Sequence, residues 1–237
     1  MPKTITKEIT LYTFAELVEL EGTGSGLDKA CQKAREWLQE SQTDHDWWDY
    51  TYDTWKSALA QIGFDDAEIS FSGFWSQRDG ASFTCKSVDM EKLIEFLLSD
   101  IEPNPVISYD GKTEDFRGWL LHKVGGYPAI SKEDLNLLKP YMPNAQAEVD
   151  RISSHYCHHN TCRFNLDTGY GDPFDSGMEE LANHLEAACE RLRVAICHAI
   201  HDDLEKEFEW LTEDKQLIDT ANNNGYMFNE DGEMETE

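Results

Sequence analysis

Met178, Leu181, Leu185, Ala188, Leu192, Ile196 and Ala199 recur every three or four positions. Apolar residues at that spacing form one stripe along an α-helix, and the stripe must be covered along its whole length. The pattern predicts a helix of roughly eight turns or more, reaching Trp210. Any fold for this chain has to supply a long apolar surface for that helix to lie on.

The residues before it supply candidates. Lys3–Leu11 reads as a short strand. Thr13 and Glu16 have the spacing of a capping box, so a helix is expected over Phe14–Leu20, cut by the glycines of 22–26. Helical spacing resumes with Ala30, Cys31, Ala34, Trp37 and Leu38. A third helix is predicted over Asp46–Ile62, presenting Trp47, Trp48, Tyr52, Trp55, Leu59 and Ile62 and stopping at Gly63. The period then changes to two through Ile69, Phe71, Gly73 and Trp75. After the turn Ser76-Gln77-Arg78-Asp79-Gly80, Phe83 and Cys85 continue it, which reads as a β-hairpin.

Val88–Leu98 reads as a helix. Residues 101–147 hold five of the seven prolines, so they are expected to be mostly irregular, with short helices near 114–123 and 132–139. A second hairpin is predicted over 149–166, with Ile152 and Tyr156 before its turn and Cys162, Phe164 and Leu166 after it, followed by a loop over 169–177. Helices flanking two hairpins make an α+β chain: a small antiparallel sheet covered on one face, with the long C-terminal helix among its cover. One domain over residues 1–237 is expected, with an acidic tail from about residue 229. Phe71, Trp75 and Phe83 are expected to be buried against the helix of Trp47, Trp48 and Trp55, because a lone hairpin of this composition is not stable in water.

The formal net charge is −27, with 47 acidic against 20 basic residues, and the last 37 residues hold 13 acids against Lys206 and Lys215 alone. Such a charge opposes binding to a nucleic-acid backbone. Forty per cent hydrophobic residues and seven tryptophans set the chain apart from a disordered acidic one. No apolar run approaches the roughly 18 residues of a membrane span, and no basic-then-apolar leader opens the sequence, so a cytoplasmic protein is expected. Six cysteines, at 31, 85, 157, 162, 189 and 197, are then expected as reduced thiols.

The motifs of catalysis are weak. Gly22–Gly26 lacks the preceding strand and the Gly-Lys-Ser/Thr ending of a phosphate loop. The serines near Asp79 have no nearby histidine and no nucleophile elbow. His155, Cys157, His159 and Cys162 are the candidate metal ligands, but their spacing fits no standard zinc site, so no metal or other cofactor is expected. Cys197 and His201 share a helix side, for which placement in the core is favoured. The Trp75 turn admits two readings: a structural turn with Trp75 packed inward, which is favoured, or an aromatic binding surface including Gln77, Arg78 and Asp79.

The stretch FSGFWSQRDGASF at 71–83 resembles FSGFWSQGDGASF, the signature of a large set of phage and prophage proteins, some labelled antitoxins of toxin–antitoxin systems. YTFAEL with KAREW (12–37), DWWDYTYDTWK (46–56), SHYCHHNTCRFNLD (154–167) and the block 202–233 are similar to the same family. Arg78 stands where the family has glycine, and Gly22–Gly26 and 100–147 look like insertions. The resemblance implies phage origin and the same α+β core, and it implies no established activity.

The reading that joins these features is a non-enzymatic protein that binds and inhibits a host protein with a basic, nucleic-acid-binding surface, inside the host cytoplasm. Asp202, Asp203, Glu205, Glu207 and Glu209 are its candidate contacts, imitating spaced phosphates. An antitoxin that neutralises a toxin, and a metal-dependent enzyme or metal-binding protein using the 155–162 cluster, are the alternatives.

Overall fold

The computed structural model describes residues 8–110, 112–153, 156–169 and 176–235. In chain order its elements are α1 (Phe14–Leu20), α2 (Asp28–Thr43), α3 (Asp49–Gln61), β1 (Glu68–Ser72), β2 (Gly80–Thr84) and α4 (Met90–Leu98). They continue with β3 (Ser108–Tyr109), β4 (Glu114–Asp115), α5 (Arg117–Val124), α6 (Lys132–Leu138), β5 (Gln146–Arg151) and β6 (Cys162–Asp167). The last are α7 (Ser176–Thr212), α8 (Asp214–Asn224), β7 (Met227–Phe228) and β8 (Met234–Glu235). The class is α+β, with four small two-stranded antiparallel sheets among the described residues and the long helix the apolar stripe required. None of the described helices is long and apolar enough to cross a membrane.

Where the sequence suggested one domain, the chain divides into two compact units, residues 1–48 with 206–237, and residues 49–205. The smaller is built on α1, α2 and α8. The capping box forms as its spacing requires, with Glu16 N–H donating to Thr13 Oγ1 at 3.2 Å and Thr13 N–H to Glu16 Oε2 at 2.8 Å. Phe14, Leu17, Cys31, Ala34, Leu38, Leu217, Ala221 and Phe228 form its core. Arg35 ties the three helices together, reaching Glu21 at 2.8 Å and Asp214 at 2.7 Å. The expected tail from residue 229 is instead a turn: β8 folds back on β7, and Asn229 N–H donates to the Glu233 carbonyl at 3.0 Å. The strand expected over Lys3–Leu11 lies partly outside the described residues; residues 8–11 form no strand, and the bridge of Tyr12 to Phe228 comes just after them.

The larger unit contains both predicted hairpins. β1 pairs with β2 and β5 with β6, and a bridge between Cys85 and Val149 brings the two hairpins side by side. The second hairpin begins three residues earlier than its apolar pattern suggested, and Ile152 and Tyr156 are exposed beyond its paired strands. The stretch 101–147, expected to be mostly irregular, is more ordered than its prolines suggested: α5, α6 and a 3-10 helix over Lys139–Asn144 occupy much of it, and Leu120, Leu121, Leu135 and Leu138 are fully buried.

Within this unit α7 buries Leu185, Leu192, Ile196, Ile200 and Leu204, worth roughly 1.5–3 kcal/mol each. It also closes the β6 edge. Phe164 N–H donates to Glu190 Oε2 at 2.9 Å and Leu166 N–H to Glu186 Oε1 at 3.2 Å. Two residues along a strand advance about 6.6 Å and four along a helix about 6 Å. That near match lets one helix side satisfy an unpaired strand edge, which would otherwise invite another strand.

Candidate functional site

The turn between β1 and β2 is held by one carboxylate. Asp79 Oδ2 accepts the N–H of Trp75 at 2.9 Å and of Ser76 at 2.7 Å, and Oδ1 accepts the Ser76 hydroxyl at 3.1 Å. Donation from the Ser76 backbone, foremost, holds the Asp79 carboxyl below its usual range. The carboxylate lies over Gly73, whose φ is +51°, and a Cβ there would stand 2.7 Å from Asp79 Oδ2. Glycine is therefore required at 73. Position 78 makes no such demand, since no described non-glycine residue has positive φ, and Arg78 replaces glycine there without backbone strain.

This turn overturns the burial expected for Trp75. Phe83 is fully buried and Phe71 half-buried against Tyr52, but Trp75 is 78% exposed. Trp47 and Trp48, expected on the helix that buries it, precede α3 and belong to the smaller unit, where Trp47 packs on Phe208. The physical reason is the Asp79 anchor: pinning the 75 and 76 amides ends the strand at Ser72 and breaks the alternation that would have turned Trp75 inward.

The chain around residue 158 flanks the turn. Arg78 lies over the Tyr156 ring at 4.9 Å with its Nη1 2.5 Å from the phenol oxygen. Ser72 Oγ donates to the Cys157 carbonyl at 3.2 Å, and Gly80 lies so close to His158 that a Cβ would meet it at 2.9 Å. Underneath, His201 of α7 donates from Nε2 to the Gly73 carbonyl at 3.1 Å, and Phe74 packs on its ring. Three histidine rings cluster alongside, tilted against one another, with centroids 3.9 Å apart for His158 and His159 and 4.2 Å apart for His159 and His198. Burial, then the neighbouring His158 and His198, push His159 down to about 4. Gln77 is exposed at the tip.

Of the candidate metal ligands, His155 lies outside the described residues. Cys157, His159 and Cys162 do not converge: Cys157 Sγ is 4.0 Å from Arg151, the His159 ring is in the histidine cluster, and Cys162 is buried beside Arg193. Among the described residues the group with metal-ligand geometry is His201, Asp202 and Glu205, whose ligand atoms lie within 4.8 Å of one another.

The five acids of the α7 end do not act as one face. Asp203 is turned inward, its side chain 15% exposed, accepting from Trp55 Nε1 at 3.1 Å and paired with Lys123. At 3.6 residues per turn, Asp202, Glu205 and Glu209 fall within about 60° of one another, whereas Asp203 and Glu207 are turned away. Asp202 and Glu209 are exposed and Glu205 is half-buried.

Sequence reasoning missed His198, the inward role of Asp203, and Arg193, which is 1% exposed. Arg193 had a legible signal, being a charge set on the apolar stripe between Leu192 and Ile196. Asp203 had none, since its partners Trp55 and Lys123 are distant in sequence.

Residues 47–214 match the model of a domain of unknown function, DUF8835, a span that includes the Trp75 turn and the stretch 101–147. No curated protein and no solved structure matches the chain.

Proposed function

The chain belongs to the DUF8835 family, and from its own surface we propose that it is a non-enzymatic binding protein that engages a partner protein through the Trp75 turn. The observation that carries this reading is an indole 78% exposed on a turn whose backbone is pinned by Asp79. A large aromatic held out on a rigid loop contributes contact area while losing little conformational freedom on binding, the property of an interface hot spot. Arg78 of the same turn and Tyr156, whose ring it covers, are residue types enriched at such surfaces.

The net charge of −27 selects the partner class. A protein this acidic is steered toward basic surfaces and away from nucleic acid and anionic membranes. In line with the resemblance to phage and prophage proteins, the partner is a host protein with a basic, nucleic-acid-binding surface, which the acidic protein occupies and inhibits. An antitoxin role would make that partner a toxin.

Tagged wild-type protein and Trp75→Ala, both shown to be folded, are used to capture proteins from bacterial lysate, and the captured proteins are identified. The reading expects a basic protein recovered by wild type and lost with Trp75→Ala. Equal capture by both would exclude the turn as the recognition surface.

A further inference from the structure

Cys162, Arg193 and Cys197 form a buried group that the proposed recognition surface does not use. Glu190 takes Nε and Nη2 of the Arg193 guanidinium at 2.8 and 2.7 Å. The remaining nitrogen, Nη1, donates to the His159 carbonyl at 2.8 Å and lies 2.9 Å from Cys162 Sγ and 3.6 Å from Cys197 Sγ. Both sulfurs reach one nitrogen, so their separation cannot exceed those two distances laid end to end. The Phe83 backbone reaches both sulfurs as well.

A guanidinium in a protein keeps its charge, and a thiolate accepts its hydrogen bond far better than a thiol does. Among the described residues Glu190 is the carboxylate bonded to Arg193, and its side chain is 35% exposed. The Cys197 thiol donates to Cys162; together with Arg193 this outweighs burial and brings the Cys162 thiol down to about 7. Cys197, which keeps the proton and is buried, is pushed well up. The pair thus has the asymmetry of an attacking and a resolving thiol.

We infer that Cys162 and Cys197 are a redox-responsive pair, in which hydrogen peroxide oxidises the Cys162 thiolate and Cys197 resolves it to a disulfide joining β6 to α7. The Cys162 sulfur attacks one peroxide oxygen, the O–O bond breaks, and hydroxide leaves, giving a sulfenic acid. The Cys197 sulfur then attacks the Cys162 sulfur, and its proton leaves with the displaced hydroxyl as water. Two sulfurs give up two electrons and one peroxide takes them. Cys162 is 2% exposed, but the His159 turn that covers it is only half-buried, and peroxide is close to water in size.

The test uses the full chain carrying Cys157→Ser, which removes the half-buried thiol nearest in sequence. Folded protein is treated with hydrogen peroxide, unfolded into N-ethylmaleimide, and mapped by mass spectrometry. A linked Cys162–Cys197 peptide is expected, two hydrogens lighter than the reduced pair and restored by dithiothreitol, with Cys31, Cys85 and Cys189 fully alkylated. Cys197→Ala should stop the reaction at a Cys162 sulfenic acid trapped by dimedone. The same variant should raise the pH of half-maximal Cys162 alkylation from about 7. The inference is overturned if Cys162 and Cys197 stay fully alkylatable after peroxide treatment, or if Cys162 links to a different cysteine.

Discussion

The carboxylate of Asp203 accepts the indole N–H of Trp55 at 3.1 Å, tying the long helix to α3 inside the larger unit. The other oxygen of the same carboxylate pairs with Lys123, which lies over the Trp119 ring at 5.2 Å. Asp203→Ala would leave both donors without their acceptor in a mostly buried setting. We expect a loss of about 2–3 kcal/mol in chemical denaturation, against less than about 0.5 kcal/mol for Asp202→Asn one residue earlier. Equal effects at the two positions would remove Asp203 from the internal network.

At the β1–β2 turn, stability and binding should separate. Trp75→Ala removes an exposed side chain and should change unfolding free energy by less than about 1 kcal/mol. It should weaken a captured partner by about 2 kcal/mol or more, roughly thirtyfold in Kd. Gly73→Ala should weaken binding while Trp75 is still present, because its Cβ would displace the carboxylate that orients the indole. Titration calorimetry with the identified partner reads both effects.

Charge steering should act through the outward acids alone. Neutralising Asp202, Glu205 and Glu209 to Asn and Gln should slow association at low salt and leave dissociation nearly unchanged, since steering acts on the encounter. The difference should fade as the screening length falls to about 8 Å at physiological salt. An association rate unaffected at low salt would assign this acidity to solubility.

The histidine cluster should make the larger unit acid-sensitive. His159 titrates near 4 in the fold against an ordinary 6.5, owing first to burial and then to His158 and His198. A depressed native value means the unfolded chain binds more protons between those two pH values. The stabilisation is fully present above about pH 6.5 and is lost as pH falls toward 4. His159→Gln should flatten the dependence of the denaturation midpoint on pH across that window; an unchanged slope would assign the acid sensitivity to other groups.

Local rules made much of this fold legible. The Thr13–Glu16 capping box, the stop at Gly63, the alternation through Ile69 and Phe71, and the stripe from Met178 to Ala199 each state their element within a few residues of chain. α8 carries no clear stripe, because polar side chains interrupt the spacing of Leu217 and Ala221, and the acids from residue 229 imitate a solvated tail. Only contact with Phe14 and the α2 core shows that these segments are packed.

What the sequence determined by itself was the class of each segment and the sign of its charge, because helical period, strand period and net charge are properties of neighbouring residues. Tertiary structure decided which side chains face outward and which meet. Trp75 is exposed because a carboxylate four residues on captures its amide, Asp203 is internal because Trp55 and Lys123 arrive from distant helices, and Cys162 faces Arg193 because β6 packs along α7. Each depends on a hydrogen bond or packing contact whose geometry no local pattern encodes, and the candidate site is composed of such contacts.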